Sequence, residues 1–83
     1  MDENKVIVIF KTPGMPVGID IEIPLNITAN ELIYGLNEGF KLGIDMDNPG
    51  ECYLRLENPT ALLRGDTLLE EFGIRNGSTI YTD

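Results

Sequence analysis

Three short stretches of this 83-residue chain carry residue types that can do chemistry. The first is Asp45-Met46-Asp47-Asn48-Pro49-Gly50-Glu51, which invites comparison with a calcium-binding EF-hand loop. Such a loop needs carboxylate or amide oxygens at positions one, three and five, glycine at six and a bidentate glutamate at twelve. Asp45, Asp47 and Gly50 fit, but Pro49 takes the fifth place and Leu56 the twelfth. Two ligands are lost, so the stretch reads as a solvated helix-to-strand loop. The second is Arg64-Gly65-Asp66, an integrin-binding word in extracellular proteins and here, in an acidic domain, a turn. The third is Cys52, the single cysteine. One thiol can form neither an intrachain disulfide nor a cysteine-built metal site, and the chain has no histidine. Histidine-based acid-base catalysis and a Ser-His-Asp triad are excluded. Carboxylates are plentiful, but no recognisable nucleophile, base or metal cluster accompanies them. The expectation is a protein that is not an enzyme and that holds no metal or cofactor.

The charge is lopsided, with 14 acidic against 6 basic residues and a net −8. That field repels a phosphate backbone, so nucleic acid and anionic membrane surfaces are poor partners. It serves solubility, or it steers the protein toward a basic partner surface. The apolar stretch over residues 6–10 is far too short for a signal-peptide core or a membrane span, and nothing later exceeds it. A soluble, cytoplasmic protein without membrane insertion is expected, folded as one domain over residues 1–83. A chain of this size buries roughly 60 to 65% of its unfolded surface.

The elements that must position these residues are written in the spacing. Residues 5–10 form a β-branched run that would bury either Val6, Val8 and Phe10 or Ile7 and Ile9. Thr12-Pro13-Gly14-Met15-Pro16 is a turn. Ile19-Asp20-Ile21-Glu22-Ile23 alternates strictly, predicting a half-buried strand with Ile19, Ile21 and Ile23 inward and an antiparallel hairpin with the first strand. Thr28-Ala29-Asn30-Glu31 is a capping box, opening a helix over about residues 29–42. Leu32, Ile33, Leu36 and Phe40 supply its core face, and Gly43 is a natural terminator. Gly35, Gly39 and Gly43 recur every four residues. An interior glycine costs about 0.8 to 1 kcal/mol against alanine, which favours a packing reason. Close approach of the helix to the sheet is the leading one, ahead of partner contact or mere tolerance. Residues 52–57 alternate again, with Cys52, Leu54 and Leu56 opposite Tyr53, Arg55 and Glu57. After the turn Asn58-Pro59-Thr60, residues 61–63 are a short strand. Thr67 or Asp66 can cap a short helical turn carrying Leu68, Leu69 and Phe72, and residues 78–82 are the last strand.

This order resembles the ubiquitin superfamily over nearly the whole chain. Landmark residues agree: Lys11-Thr12 leaving the first strand, Thr28 as helix cap, Thr67-Leu68 entering the short turn, Ile74 after it, and Ser78-Thr79-Ile80 in the last strand. The resemblance implies an α+β ubiquitin-like β-grasp, a mixed five-stranded sheet packed on one main helix in the order ββαββ, short helix, β. Within the superfamily the chain is most similar to the small bacterial YukD/EsaB group of type VII (WXG100) secretion accessory proteins. The shared shape lies in Ile19-Asp20-Ile21-Glu22-Ile23-Pro24 and Leu62-Leu63-Arg64-Gly65-Asp66-Thr67-Leu68. It implies a cytosolic accessory or regulator with protein partners in the secretion machinery. No Gly-Gly follows Asp83, so a non-conjugating module is expected, the alternative being a carrier or modifier whose tail is absent from this chain. Ubiquitin's recognition surface centres on an exposed aliphatic residue in its third strand, and the matching position here is Arg55.

The β-grasp order also sets the first strand beside the last, which adjoins the third. If Val6, Val8 and Phe10 point inward, then Ile7, Ile9, Tyr53, Arg55 and Tyr81 share one exposed sheet face. Aliphatic, aromatic and arginine side chains together are the composition of an interface centre, and these five are the candidate protein interface. The plainer alternative is that β propensity alone puts apolar residues on exposed strands.

Overall fold

Alternating residues form β1 (Lys5–Lys11), which turns back through an antiparallel pairing as β2 (Ile19–Pro24). In the computed structural model, which describes residues 4–82, the helix α1 (Ala29–Phe40) follows, then β3 (Leu54–Glu57), β4 (Ala61–Leu63), a 3-10 turn (Leu69–Phe72) and β5 (Thr79–Tyr81). The sheet order is β2-β1-β5-β3-β4, with β5 parallel to β1 and the other pairs antiparallel. This is a mixed five-stranded sheet carrying one main helix, an α+β ubiquitin-like β-grasp.

The register fixes which side of β1 is buried. Val6, Val8 and Phe10 stand opposite Ile23, Ile21 and Ile19, and Val8 and Phe10 are fully buried against Ile33, Leu54, Leu56, Leu63, Leu69 and Ile80. Burial fades along β2. Ile23 is buried and Ile21 half-buried, while Ile19, expected inward, is 38% exposed. It faces the core side at the turn end of an edge strand, where the core runs out. Phe40 is likewise 38% exposed, yet its ring rests 4.9 Å from that of Phe10.

The capping box forms as expected. Glu31 N–H donates to Thr28 Oγ1 (3.1 Å), and Thr28 N–H donates to Glu31 Oε1 (2.8 Å). At the other end the helix stops before Gly43, because Asn37 stops it. Its Nδ2 donates to the Ile44 carbonyl (2.9 Å), its Oδ1 accepts the Ile44 N–H (3.0 Å), and Lys41 takes the left-handed conformation at φ 54°. Nor do Gly35 and Gly39 bring helix and sheet together: a Cβ at either would meet nothing within 4 Å. The close-approach reading of the glycine stripe is therefore wrong. Both glycines lie on the exposed side of the helix.

The 3-10 turn is not capped by Thr67 or Asp66. Leu68 holds that position without a side-chain hydrogen bond, because the β2–α1 link satisfies the first amides directly: Leu69 N–H donates to the Ile27 carbonyl (2.9 Å) and Glu70 N–H to that of Leu25 (3.1 Å). Two other pins tighten the fold. Buried Ser78 donates its hydroxyl to the Asn58 carbonyl (2.5 Å) and accepts the Arg75 N–H (3.1 Å), tying β5 to the β3–β4 turn. Arg64-Gly65-Asp66 is a turn, with Gly65 at φ 81°, held against the start of α1 by Asn30.

Candidate protein interface on the open sheet face

With one side of the sheet covered by α1, the ladder pairings define what the other side presents. Ile7 stands beside Glu22, and Ile9 lies between Asp20 on β2 and Thr79 on β5, with Glu57 beyond. A further row crosses four strands as Lys11, Tyr81, Arg55 and Leu62. Adjacent strands lie about 4.8 Å apart, so these side chains form one continuous surface.

Side-chain contacts across this face centre on Tyr81. Its hydroxyl donates to Glu57 Oε1 (3.0 Å), and Arg55 Cζ lies 5.9 Å from the ring centroid, within cation-π range. The hydrogen bond to Glu57 raises the Tyr81 pKa above its ordinary value, with partial desolvation and the Glu57 charge adding to the shift and Arg55 opposing it. The carboxylate accepts the phenol proton's bond and resists the appearance of a second anion.

Of the five residues expected on this face, the ladder brings Ile7, Ile9, Arg55 and Tyr81 together. Ile7 is 51% exposed. Ile9 is half-buried for a local reason: a Cβ built on Gly18 would overlap Ile9 Cγ2 and come within 2.7 Å of Lys11 Cγ. The bare backbone of Gly18 is what lets the two side chains lie where they do. Tyr53 precedes β3, which is shorter than the predicted strand because Cys52 N–H is drawn back to the Asn48 carbonyl. It is half-buried and lines a cleft of about 270 Å3 with Leu42, Ile44, Glu51 and Thr82, at the margin of the face. Leu62, 49% exposed, joins the face beyond the five expected residues. Inward Leu54 and Leu56 pair with Leu63 and Ala61, so alternation alone sends Leu62 outward beside Arg55.

The other chemical candidates are spoken for. Asp45 Oδ1 accepts the Asp47 N–H (3.0 Å), Asn48 Oδ1 accepts the Gly50 N–H (3.0 Å), and Asn48 Nδ2 donates to Glu51 Oε2 (3.1 Å). The Asp45, Asn48 and Glu51 side chains thus bond within the loop itself. Cys52 is buried, with Sγ 3.7 Å from Asn30 Oδ1 and 3.8 Å from Met46 Sδ, under a cleft of about 450 Å3 that Arg64 borders. Among the described residues no three His, Cys, Asp or Glu side chains are grouped to hold a metal, and no helix is long and apolar enough to cross a membrane.

A family model described as "WXG100 protein secretion system (Wss), protein YukD" matches residues 6–81. The chain belongs to the YukD family. Solved structures agree on its fold. The ubiquitin-like domain of mouse tubulin-specific chaperone e superposes with a TM-score of 0.69 at 15% identity, covering 94% of this chain and 84% of that one. Tubulin-binding cofactor B of Trypanosoma brucei gives 0.66 at 14% identity over 93% and 91%. A ubiquitin-like domain of Arabidopsis thaliana gives 0.63 at 20% identity over 94% and 74%. At these identities the likeness speaks for the fold alone. No curated protein matches the chain. In this YukD-family chain the third strand presents Arg55, exposed and beside the Tyr81 ring.

Proposed function

We propose that this protein is a non-conjugating, cytoplasmic accessory component of a bacterial WXG100 secretion system, acting by binding a protein of that machinery through the open sheet face. The family match over residues 6–81 carries the reading. Support for the face comes from its make-up: exposed Ile7 and Leu62 share it with Tyr81, which bonds Glu57 and lies beside Arg55. Pre-ordered aromatic and arginine side chains lose little freedom when a partner covers them. Recognition would differ from that of ubiquitin, since a pocket shaped for an aliphatic side chain would have to bury the Arg55 guanidinium, at a cost of several kcal/mol if unpaired.

Secretion of a WXG100 substrate tests the proposal, in a host whose own copy of this gene is deleted and replaced by variants. Loss of the gene should reduce secretion, and Ile7→Asp and Tyr81→Ala should fail to restore it while melting close to the wild-type protein. Full secretion by both folded variants would place function on another surface. The carrier alternative makes a different demand, a thioester with an activating enzyme and a native gene product whose mass includes a Gly-Gly tail.

A further inference from the structure

Resting on the proposed face, a second observation narrows the chemistry of what binds there. The outward side chains of β2 are Asp20 and Glu22, both exposed, and the register sets them directly beside Ile9 and Ile7. Positive charge on the same face lies elsewhere: Lys5 and Lys11 bound the apolar pair along β1, and Arg55 sits beyond Tyr81. Among the described residues Glu57, beyond Thr79, is engaged by the Tyr81 hydroxyl, which leaves Asp20 and Glu22 as the open carboxylates beside the apolar strip, on its β2 flank and about 7 Å apart along the strand by its rise per residue. A partner covering Ile7 and Ile9 must pass over that flank, and an apolar or acidic group there would leave two carboxylates desolvated and unpaired. The protein's net charge of −8 draws cations in the same sense from a distance.

We infer that the face takes a partner segment whose apolar side chains seat on Ile7 and Ile9 and whose lysine or arginine side chains, along one flank only, lie over Asp20 and Glu22. Two basic residues three or four apart on a helix stand about 5 to 6 Å from each other, and two separated by one residue on a strand about 7 Å. Either spacing reaches both carboxylates. The opposite side of the molecule is a built-in competitor, since Glu31, Tyr34 and Glu38 on the helix also combine acid and aromatic character in the open.

The test uses the full chain labelled for NMR and three synthetic peptides of equal length, one of leucine and lysine in amphipathic order, one with glutamate for lysine, and one with serine for leucine. The leucine-lysine peptide should shift the amides of Ile7, Ile9, Asp20 and Glu22, and bind at least tenfold more tightly than the other two. Asp20→Asn with Glu22→Gln should weaken it tenfold or more, and so should Ile7→Asp. Shifts confined to Glu31, Tyr34 and Glu38, or equal affinity for the double charge variant, would overturn the inference. Secretion by the same variants separates the two ideas. Wild-type secretion with Asp20→Asn/Glu22→Gln but not with Ile7→Asp would overturn the basic partner while keeping the face, and wild-type secretion with both would overturn the face itself.

Discussion

Asn30 and Gly65 hold each other by two hydrogen bonds. Asn30 N–H donates to the Gly65 carbonyl (3.0 Å), and Gly65 N–H donates to Asn30 Oδ1 (3.1 Å). Through this exchange the first turn of the helix is fastened to the turn after β4. Asn30→Ala should destabilise the domain by about 1 kcal/mol, the low end of the cost of orphaning an amide, because water reaches Gly65 in part. Asn30→Asp keeps the acceptor but sets a carboxylate near Asp66 Oδ1, now 3.4 Å from Asn30 Nδ2. Its penalty should shrink when Asp66→Asn is added. Urea melts of the single and double variants decide; a double variant no better than Asn30→Asp would mean that the acceptor geometry, not the charge, is at fault.

Gly18→Ala should cost about 1 to 3 kcal/mol, since its new methyl overlaps Ile9 Cγ2. Trimming Ile9 to alanine makes the room. In a double-mutant cycle the pair should therefore lose less than the sum of the two single changes. Additive losses would show that Gly18 does not set the position of Ile9.

Gly35→Ala and Gly39→Ala meet open space inside a helix. Each should stabilise by about 0.8 to 1 kcal/mol, the helix-propensity difference. Thermal melts measure the gain, and secretion by the same variants gives it meaning. A more stable protein that no longer supports secretion would show that a partner rests on the bare helix backbone.

Tyr81 should titrate above the ordinary tyrosine value of 10.0, as seen in the phenolate absorbance that Tyr81→Phe removes. A group whose folded pKa is raised contributes its stability while protonated. The contribution is complete below pH 10 and is lost as the pH rises through the folded pKa. Glu57→Ala removes the leading cause, the acceptor itself, so the titration should move back toward the ordinary value. An unchanged titration in that variant would leave the Tyr81–Glu57 bond without effect on the phenol.

What was legible in the chain was what neighbours in sequence decide. Alternation in Ile19-Asp20-Ile21-Glu22-Ile23 and the Thr28–Glu31 box each need only a few adjacent residues, and both elements formed. The helix end was misplaced because glycine is the obvious local signal, whereas Asn37 closes the helix by reaching seven residues ahead to Ile44. The glycine stripe is ambiguous for a related reason: a four-residue repeat says that three residues share a side of a helix, not which side meets the sheet. On the candidate face, strand alternation and the resemblance together gave Ile7, Ile9, Arg55 and Tyr81 their common side. Gly18 stayed invisible because its role depends on the depth of packing across a hairpin. Leu62 follows from the β3–β4 register, which pairs it with Arg55.

The central strand pair has a consequence for how the molecule is made. Ile7 N–H donates to Asn76 Oδ1, 69 residues away, and β5 fills the slot between β1 and β3. A ribosome releases β1 early and β5 late, so the first hairpin leaves the exit tunnel with one edge of β1 unpaired, carrying Val8 and Phe10 and nothing to cover them. Without β5 no ladder connects β2-β1 to β3-β4, and the two pairs meet only through the helix and the link that precedes it. Such an open edge is where nascent chains pair with the wrong strand. Translation speed, rather than local helix or hairpin formation, then sets how long that hazard lasts.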